Sequence, residues 1–191
     1  MLTGCSSGSS TTTTGAGPTT PTTSASASTT SSHPATSTTA AGPTRCATSA
    51  LSGSVVGSSG AAGTIETSVA LKSTAPGTCV LGGYPGLQLL GAGGAALPTT
   101  VVRKGSYSFT SMAPTTVTVA SGQSVYFNIG YSDVPVGSET TCPTSASLEV
   151  TPPNAYDHLV VAATLAPCGG GSLTVSPVFA SVSQTAVPST G

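Results

Sequence analysis

Ser124-Val125-Tyr126-Phe127-Asn128-Ile129-Gly130-Tyr131 alternates apolar and other residues with a period of two. Val125, Phe127, Ile129 and Tyr131 fall on one face of such a segment, and Tyr126 and Asn128 on the other. Successive side chains of a β-strand point to opposite faces, so this pattern predicts a strand with one face on a core. Thr64–Lys72 repeats it: Ile65, Val69 and Leu71 share a face, with Glu66, Ser68, Ala70 and Lys72 opposite. No stretch carries the i, i+3, i+4 apolar stripe of an amphipathic helix.

Shorter candidate strands are Val80–Leu81, Leu87–Leu90, Thr100–Arg103, Tyr107–Thr110, Thr116–Val119, Ser147–Val150, Leu159–Ala163 and Ser172–Val175. Turn-forming segments separate them: Gly91-Ala92-Gly93-Gly94, Ala120-Ser121-Gly122-Gln123, Thr151-Pro152-Pro153-Asn154 and Gly169-Gly170-Gly171. Many short strands at this spacing predict an all-β sandwich or barrel, and two packed sheets are the expected solution at this length. The core must be built from Val and Leu, because the chain has no Trp and only three Phe.

Upstream of these strands the composition changes. Residues 6–44 hold only Thr, Ser, Ala, Gly and Pro with the single His33, and the chain's four Lys+Arg and five Asp+Glu all lie at or after Arg45. A segment with nothing to bury cannot offset the entropy of ordering, so 6–44 is expected to be a disordered linker. As a random coil it would span about 35 Å, and as an extended polyproline-like chain ~120 Å. Ahead of it, Leu2-Thr3-Gly4-Cys5 matches the lipobox of bacterial lipoproteins, whose cysteine sulfur carries a diacylglyceryl group. Residues 1–5 therefore read as the remnant of a lipoprotein signal, with Cys5 the lipid attachment site; the basic and apolar regions of a signal are not in the four residues before it. The expected organisation is signal remnant 1–5, linker 6–44, β-sandwich 45–182 and flexible tail 183–191.

Cys46, Cys79, Cys142 and Cys168 fall in the sandwich region. An even number outside the cytoplasm suggests two disulfides. Of three possible pairings, Cys46–Cys79 and Cys142–Cys168 are expected, because each closes a moderate loop within one half of the chain. Each loop would stabilise the fold by about 3–4 kcal/mol in the chain-entropy model. Zinc is a poor alternative: no two cysteines have C-x₂-C spacing, and His158 is the only histidine of the region.

Cys79-Val80-Leu81-Gly82-Gly83-Tyr84-Pro85-Gly86 resembles the Cys-x-Leu-x-Gly-Tyr-Pro-Gly signature of the domain of unknown function 4232 family, secreted or lipid-anchored proteins of high-GC Gram-positive bacteria. Gly60-Ala61-Ala62-Gly63 ahead of a strand, Val117-Thr118-Val119-Ala120-Ser121-Gly122-Gln123-Ser124 as a strand–turn–strand step, Cys142 ahead of a Leu-x-Val strand, and Cys168-Gly169-Gly170 leading into Leu173–Val178 extend the similarity over nearly all of 45–180. Members usually carry Pro where this chain has Ser121, and often Trp near Tyr131. The resemblance implies an immunoglobulin-like antiparallel β-sandwich outside the cytoplasm; it implies no activity.

Residues capable of chemistry are sparse. The sandwich region 45–182 has neither G-x-S-x-G nor Ser-x-x-Lys. Any Ser-His-Asp triad would need His158, whose neighbour Asp157 would point to the opposite face of a strand. Glu66, Asp133, Glu139, Glu149 and Asp157 show no paired-carboxylate context, and Glu66 and Glu149 read as solvent-facing. Gly91-x-Gly93-x-x-Ala96 imitates a dinucleotide fingerprint but leads to Leu97-Pro98-Thr99 instead of a helix. Near-zero net charge excludes an electrostatic footprint for nucleic acid, and no apolar run approaches the ~18 residues of a membrane span. No enzyme, metal or cofactor is expected. What remains specific is Gly82–Gly86. Tyr84 and Pro85 form either a contact surface, with Arg103 and Lys104 nearby, or a structural corner. The expected role is a lipid-anchored binding or structural module at the cell envelope. Its partners would be the membrane through Cys5 and envelope proteins or cell-wall polymer. A carrier or sensor of a small apolar ligand held between the sheets is the alternative.

Overall fold

Among the described residues ten strands follow one another: β1 (Leu51–Ala61), β2 (Thr64–Ser73), β3 (Thr78–Gly82), β4 (Gly86–Leu90), β5 (Thr100–Val102), β6 (Thr116–Ala120), β7 (Ser124–Ser132), β8 (Ser147–Thr151), β9 (Leu159–Ala162) and β10 (Ser172–Val175). They belong to a computed structural model that describes residues 43–185. Cys5, residues 6–42 of the expected linker and residues 186–191 of the expected tail lie outside the described residues.

The two alternating segments that decide the fold class, β2 and β7, are antiparallel neighbours at the centre of a five-stranded sheet of order β1-β2-β7-β10-β5. Val69 lies opposite Phe127 and Leu71 opposite Val125, so the two apolar faces coincide. A three-stranded sheet, β4-β8-β9, and the two-stranded sheet β3-β6 complete the fold, and every strand pairing but the parallel β5–β10 is antiparallel. Val69, Leu71, Phe127, Ile129, Leu173 and Val175 of the first sheet form one buried cluster with Leu81, Leu89, Val119, Leu148, Val150 and Val161 of the others. The molecule is thus an all-β sandwich. Each fully buried Val, Leu, Ile or Phe contributes about 1.5–3 kcal/mol of transfer free energy. β9 lies close against β1 because Gly53 has no side chain: a Cβ there would collide with Val161 Cγ2 and sit 3.1 Å from Leu159 Cδ1.

Both expected disulfides are present, at Cα–Cα distances of 4.9 Å for Cys46–Cys79 and 4.7 Å for Cys142–Cys168. The first ties the start of the domain to β3, where Cys46 N–H donates to Val80 C=O at 3.1 Å. The second joins the loop after β7 to the turn before β10.

Three local expectations change. β1 is an 11-residue strand that the Ser/Gly-rich sequence did not announce; the tight turn Ala62-Gly63, with φ of +50° and +79°, hairpins it onto β2. Tyr107–Thr110 is not a strand: Ser108–Ser111 is a 3₁₀ turn, closed where Thr110 N–H and Oγ1 donate to Tyr107 C=O at 3.0 and 2.7 Å. The outer face of the central sheet is also covered. Tyr107 lies over Gly130, where a Cβ would stand 2.5 Å from the ring, and it stacks on the buried Phe109 at 5.4 Å. Asn128, on that outer face, is fully buried: its Oδ1 accepts from Ser68 Oγ at 2.8 Å and its Nδ2 donates to Gln184 C=O at 3.0 Å. That second bond holds the chain two residues past the Val182 boundary.

A candidate contact groove at Tyr84 and Arg103

Gly82-Gly83-Tyr84-Pro85-Gly86 takes the chain from β3 to β4, out of one sheet and into another. Gly82 is needed for close approach, since a Cβ would sit 2.9 Å from Thr115 O and 3.0 Å from Thr116 Cα. Gly83 has φ of +109°, a conformation L residues avoid. Its carbonyl accepts from Val178 N–H at 2.9 Å, and the Gly82 carbonyl accepts from Asn154 Nδ2 at 3.2 Å. Pro85 is buried. Tyr84 is half-buried, packs against the core cluster, and carries the Arg103 guanidinium 5.1 Å above its ring centroid. The segment is therefore a corner that also holds an exposed cation in place, through the attraction of a cation to a ring face.

Beside this corner β4 and β5 diverge and leave an open groove of about 720 Å³, lined by Pro85, Gly86, Leu87, Val101, Arg103 and Lys104 together with the exposed Val102. One end is set by side-chain amide chemistry. Gln88 Nε2 donates to Leu89 C=O at 2.9 Å, Leu97 C=O at 2.7 Å and Thr99 Oγ1 at 2.9 Å, while Leu89 N–H donates to Thr99 Oγ1 at 3.0 Å. These bonds hold the Gly91–Thr99 connection along β4 as far as Leu89, from where it departs toward β5. The basic residues at the groove have no acidic partner: among the described residues the one ion pair is His158–Glu149.

The other titratable residues do not converge on a reaction centre. His158 Nε2 meets Glu149 Oε2 at 3.3 Å, with the His side chain half exposed; the sequence reading paired His158 with neither this residue nor a nucleophile. Glu66, expected to face solvent, is partly buried beside Tyr107, and that burial raises its carboxyl above the ordinary value of 4.5. Burial likewise raises the phenols of Tyr107 and Tyr131. Glu139 has the most developed environment, and sequence reasoning passed it by. Its carboxylate accepts from Gly169 and Gly170 N–H at 2.8 Å each and from Val136 N–H at 3.1 Å, which lowers its pKa below 4.5. The signal was present in Gly169-Gly170-Gly171, whose φ values of +65°, +68° and +76° turn successive N–H groups together. This carboxylate closes a turn next to the Cys142–Cys168 bond and is a structural clamp. Among the described residues no group of three or more His, Cys, Asp or Glu is placed to hold a metal, and no helix is long and apolar enough to cross a membrane.

No curated protein and no solved structure matches the chain. A family model does, from Cys46 to Phe179, which spans all ten strands, both disulfides and the Gly-Gly-Tyr-Pro-Gly corner. The chain belongs to the family described as Domain of unknown function (DUF4232).

Proposed function

We propose that this is a lipid-anchored extracytoplasmic protein whose β-sandwich acts as a binding module at the cell envelope, with its contact surface at the β4/β5 groove. The observation that carries the reading is the groove itself. It joins an apolar lining of Leu87, Val101 and Val102 to two cations, Arg103 and Lys104, and a stacked tyrosine. Binding sites are mostly apolar concavities with a few placed polar groups, and this one has that composition. Two disulfides support an oxidising compartment. The close-packed interior, in which Phe127, Leu71, Leu89 and Ile129 have no exposed surface, supports a contact module over a carrier with a ligand between its sheets. A binding module, and not an enzyme, is the class proposed.

Two measurements on the full chain test this. With a complete lipoprotein signal placed ahead of Leu2, the wild type enters the detergent phase in a partitioning assay and Cys5→Ala stays aqueous; if both stay aqueous, there is no anchor. The soluble Cys5→Ala chain sediments with purified bacterial envelopes, and Arg103→Glu/Lys104→Glu lowers the bound fraction at least fivefold. Equal sedimentation of the two would remove the groove from the binding surface.

A further inference from the structure

We infer that the groove takes an extended acidic peptide, added as a strand to the free edge of β4. This deepens the reading of the groove as the contact surface and rests on it.

The first observation is the edge. β4 pairs with β8 on one side. On the other side the chain pairs with it only from Leu89 onward: Gly91 N–H donates to Ala95 C=O at 2.7 Å and Leu97 N–H to Leu89 C=O at 2.9 Å. Residues two apart in a strand turn their main-chain groups the same way. Leu87 therefore turns its N–H and C=O toward the groove, where no strand among the described residues meets them. Native edges are commonly blunted by a charged residue, a bulge or a proline within the strand. Gly86-Leu87-Gln88-Leu89-Leu90 has none of these, and its one polar side chain is committed to the Leu97–Thr99 connection. A strand pairing with Leu87 would extend the antiparallel sheet that the connection abandons at Thr99.

The second observation is charge. Arg103 and Lys104 are two of the four basic residues of the whole chain, they are adjacent, and both are exposed at the groove. Neither has an ion-pair partner among the described residues. Stacking on Tyr84 restricts the Arg103 side chain and so reduces the entropy lost when it meets an anion. An occupant must therefore be acidic.

Third, Val101 and the exposed Val102 offer an apolar wall across from Leu87. An extended peptide matches all three features at once: main-chain amides for Leu87, alternate apolar side chains for the wall, and carboxylates for Arg103 and Lys104. This is strand addition, in which main-chain bonds supply affinity and side-chain pockets supply selectivity. A polyanion without amides would use the two cations alone.

The test uses the full Cys5→Ala chain and a displayed library of random decapeptides. Enriched sequences are expected to combine Asp or Glu with alternating Val, Ile or Thr. Titrating one enriched peptide into isotope-labelled protein should move the Leu87 amide among the largest shifts. Leu87→Pro, which removes that N–H at an edge position where proline is tolerated, should weaken the peptide at least tenfold, as should Arg103→Glu/Lys104→Glu. Melting curves verify that both variants fold. If Leu87→Pro unfolds the chain, the Leu87 amide shift decides alone. No enrichment, enriched peptides without acids, or an unmoved Leu87 amide overturns the proposal. So does stronger binding of inorganic polyphosphate that ignores Leu87→Pro, because the site would then recognise anions and not strands. Should peptides fail while envelope sedimentation still depends on Arg103 and Lys104, the groove remains the contact surface and only the peptide assignment falls.

Discussion

Asn128→Ala is the most informative single substitution in the central sheet. Asn128 sits in β7 with no exposed surface, opposite Ser68 of β2. Its side chain accepts from Ser68 Oγ at 2.8 Å and donates to Gln184 C=O at 3.0 Å. Alanine removes both partners and leaves the buried Ser68 hydroxyl and the Gln184 carbonyl without them. An orphaned buried polar group costs about 1–3 kcal/mol, and part of the Gln184 cost is recovered because the turn beside it can swing into water. The expected loss is therefore about 3 kcal/mol, which lowers Tm by roughly 10–15 °C for a domain of this size. Ser176 N–H donates to Asn128 C=O at 3.0 Å and Asn128 N–H donates to Ser176 Oγ at 2.8 Å; neither bond involves the Asn128 side chain, so exchange protection should fall first at Gln184 and least at Ser176. Differential scanning calorimetry gives the Tm, and amide exchange gives the order. A second arm isolates the pair: Ser68→Ala/Asn128→Ala should cost clearly less than the sum of the singles, since the double change leaves no orphan between these two side chains and only the Gln184 carbonyl without its partner. A Tm within about 2 °C of wild type, or strictly additive singles, would refute the reasoning that this outer face is a sealed polar layer.

Two further outcomes follow from the same surface and its neighbour. Gly130→Ala places a methyl 2.5 Å from the Tyr107 ring and should destabilise the domain by about 1–3 kcal/mol, although alanine is ordinarily the better strand residue. Added to Tyr107→Ala it should cost nothing more, and chemical denaturation of the four variants of this cycle measures it. For Glu139 the sign is that of a depressed carboxyl: the folded pKa lies below the ordinary 4.5 because Gly170, Gly169 and Val136 N–H groups stabilise the anion. Its contribution is complete above pH 4.5 and is lost as pH falls through the folded value. Gly169 and Gly170 amide shifts should therefore hold steady from neutrality down to pH 4.5 and move together below it, and Glu139→Gln should abolish the transition. A midpoint at the ordinary glutamate value would show that the clamp is open in solution.

The strands that were legible in the sequence are those whose packing follows from their own pattern. β2 and β7 show a period of two because one face of each meets the opposing sheet, and that face was read residue by residue. β1 was illegible for the converse reason. It is an edge strand with little apolar surface, Ser-Gly-Ser-Val-Val-Gly-Ser, and it owes its place to β2 beside it and to Gly53 under β9. Side-chain alternation likewise states which face a residue is on, but not what lies over that face. Asn128 was placed on the correct face of β7 with nothing assigned to cover it, whereas the segment through Gln184 covers it, as Tyr107 covers Gly130 beside it.

A trace of that cover was nonetheless in the chain. Asn and Gly are poor residues for an open strand face: each forgoes packing, and glycine adds an entropic cost. Two of them alternating inside a strand buried over most of its length mark positions where something else must sit, one requiring room and the other a hydrogen-bond partner. Tyr107 and Gln184 supply these. The groove is harder to read because its existence depends on where pairing stops. Leu87 is no different from Leu89 in sequence; what separates them is that Gln88 and Thr99 hold the connecting chain against Leu89 and release it before Leu87. An unpaired strand edge is thus a property of the neighbouring loop's side chains. The Tyr84–Arg103 stack then places a cation beside that edge from a corner whose glycines and proline look purely structural. Corner and contact surface are one device here: the rigidity that packs Pro85 and Tyr84 is what gives Arg103 a defined position from which to select an anion.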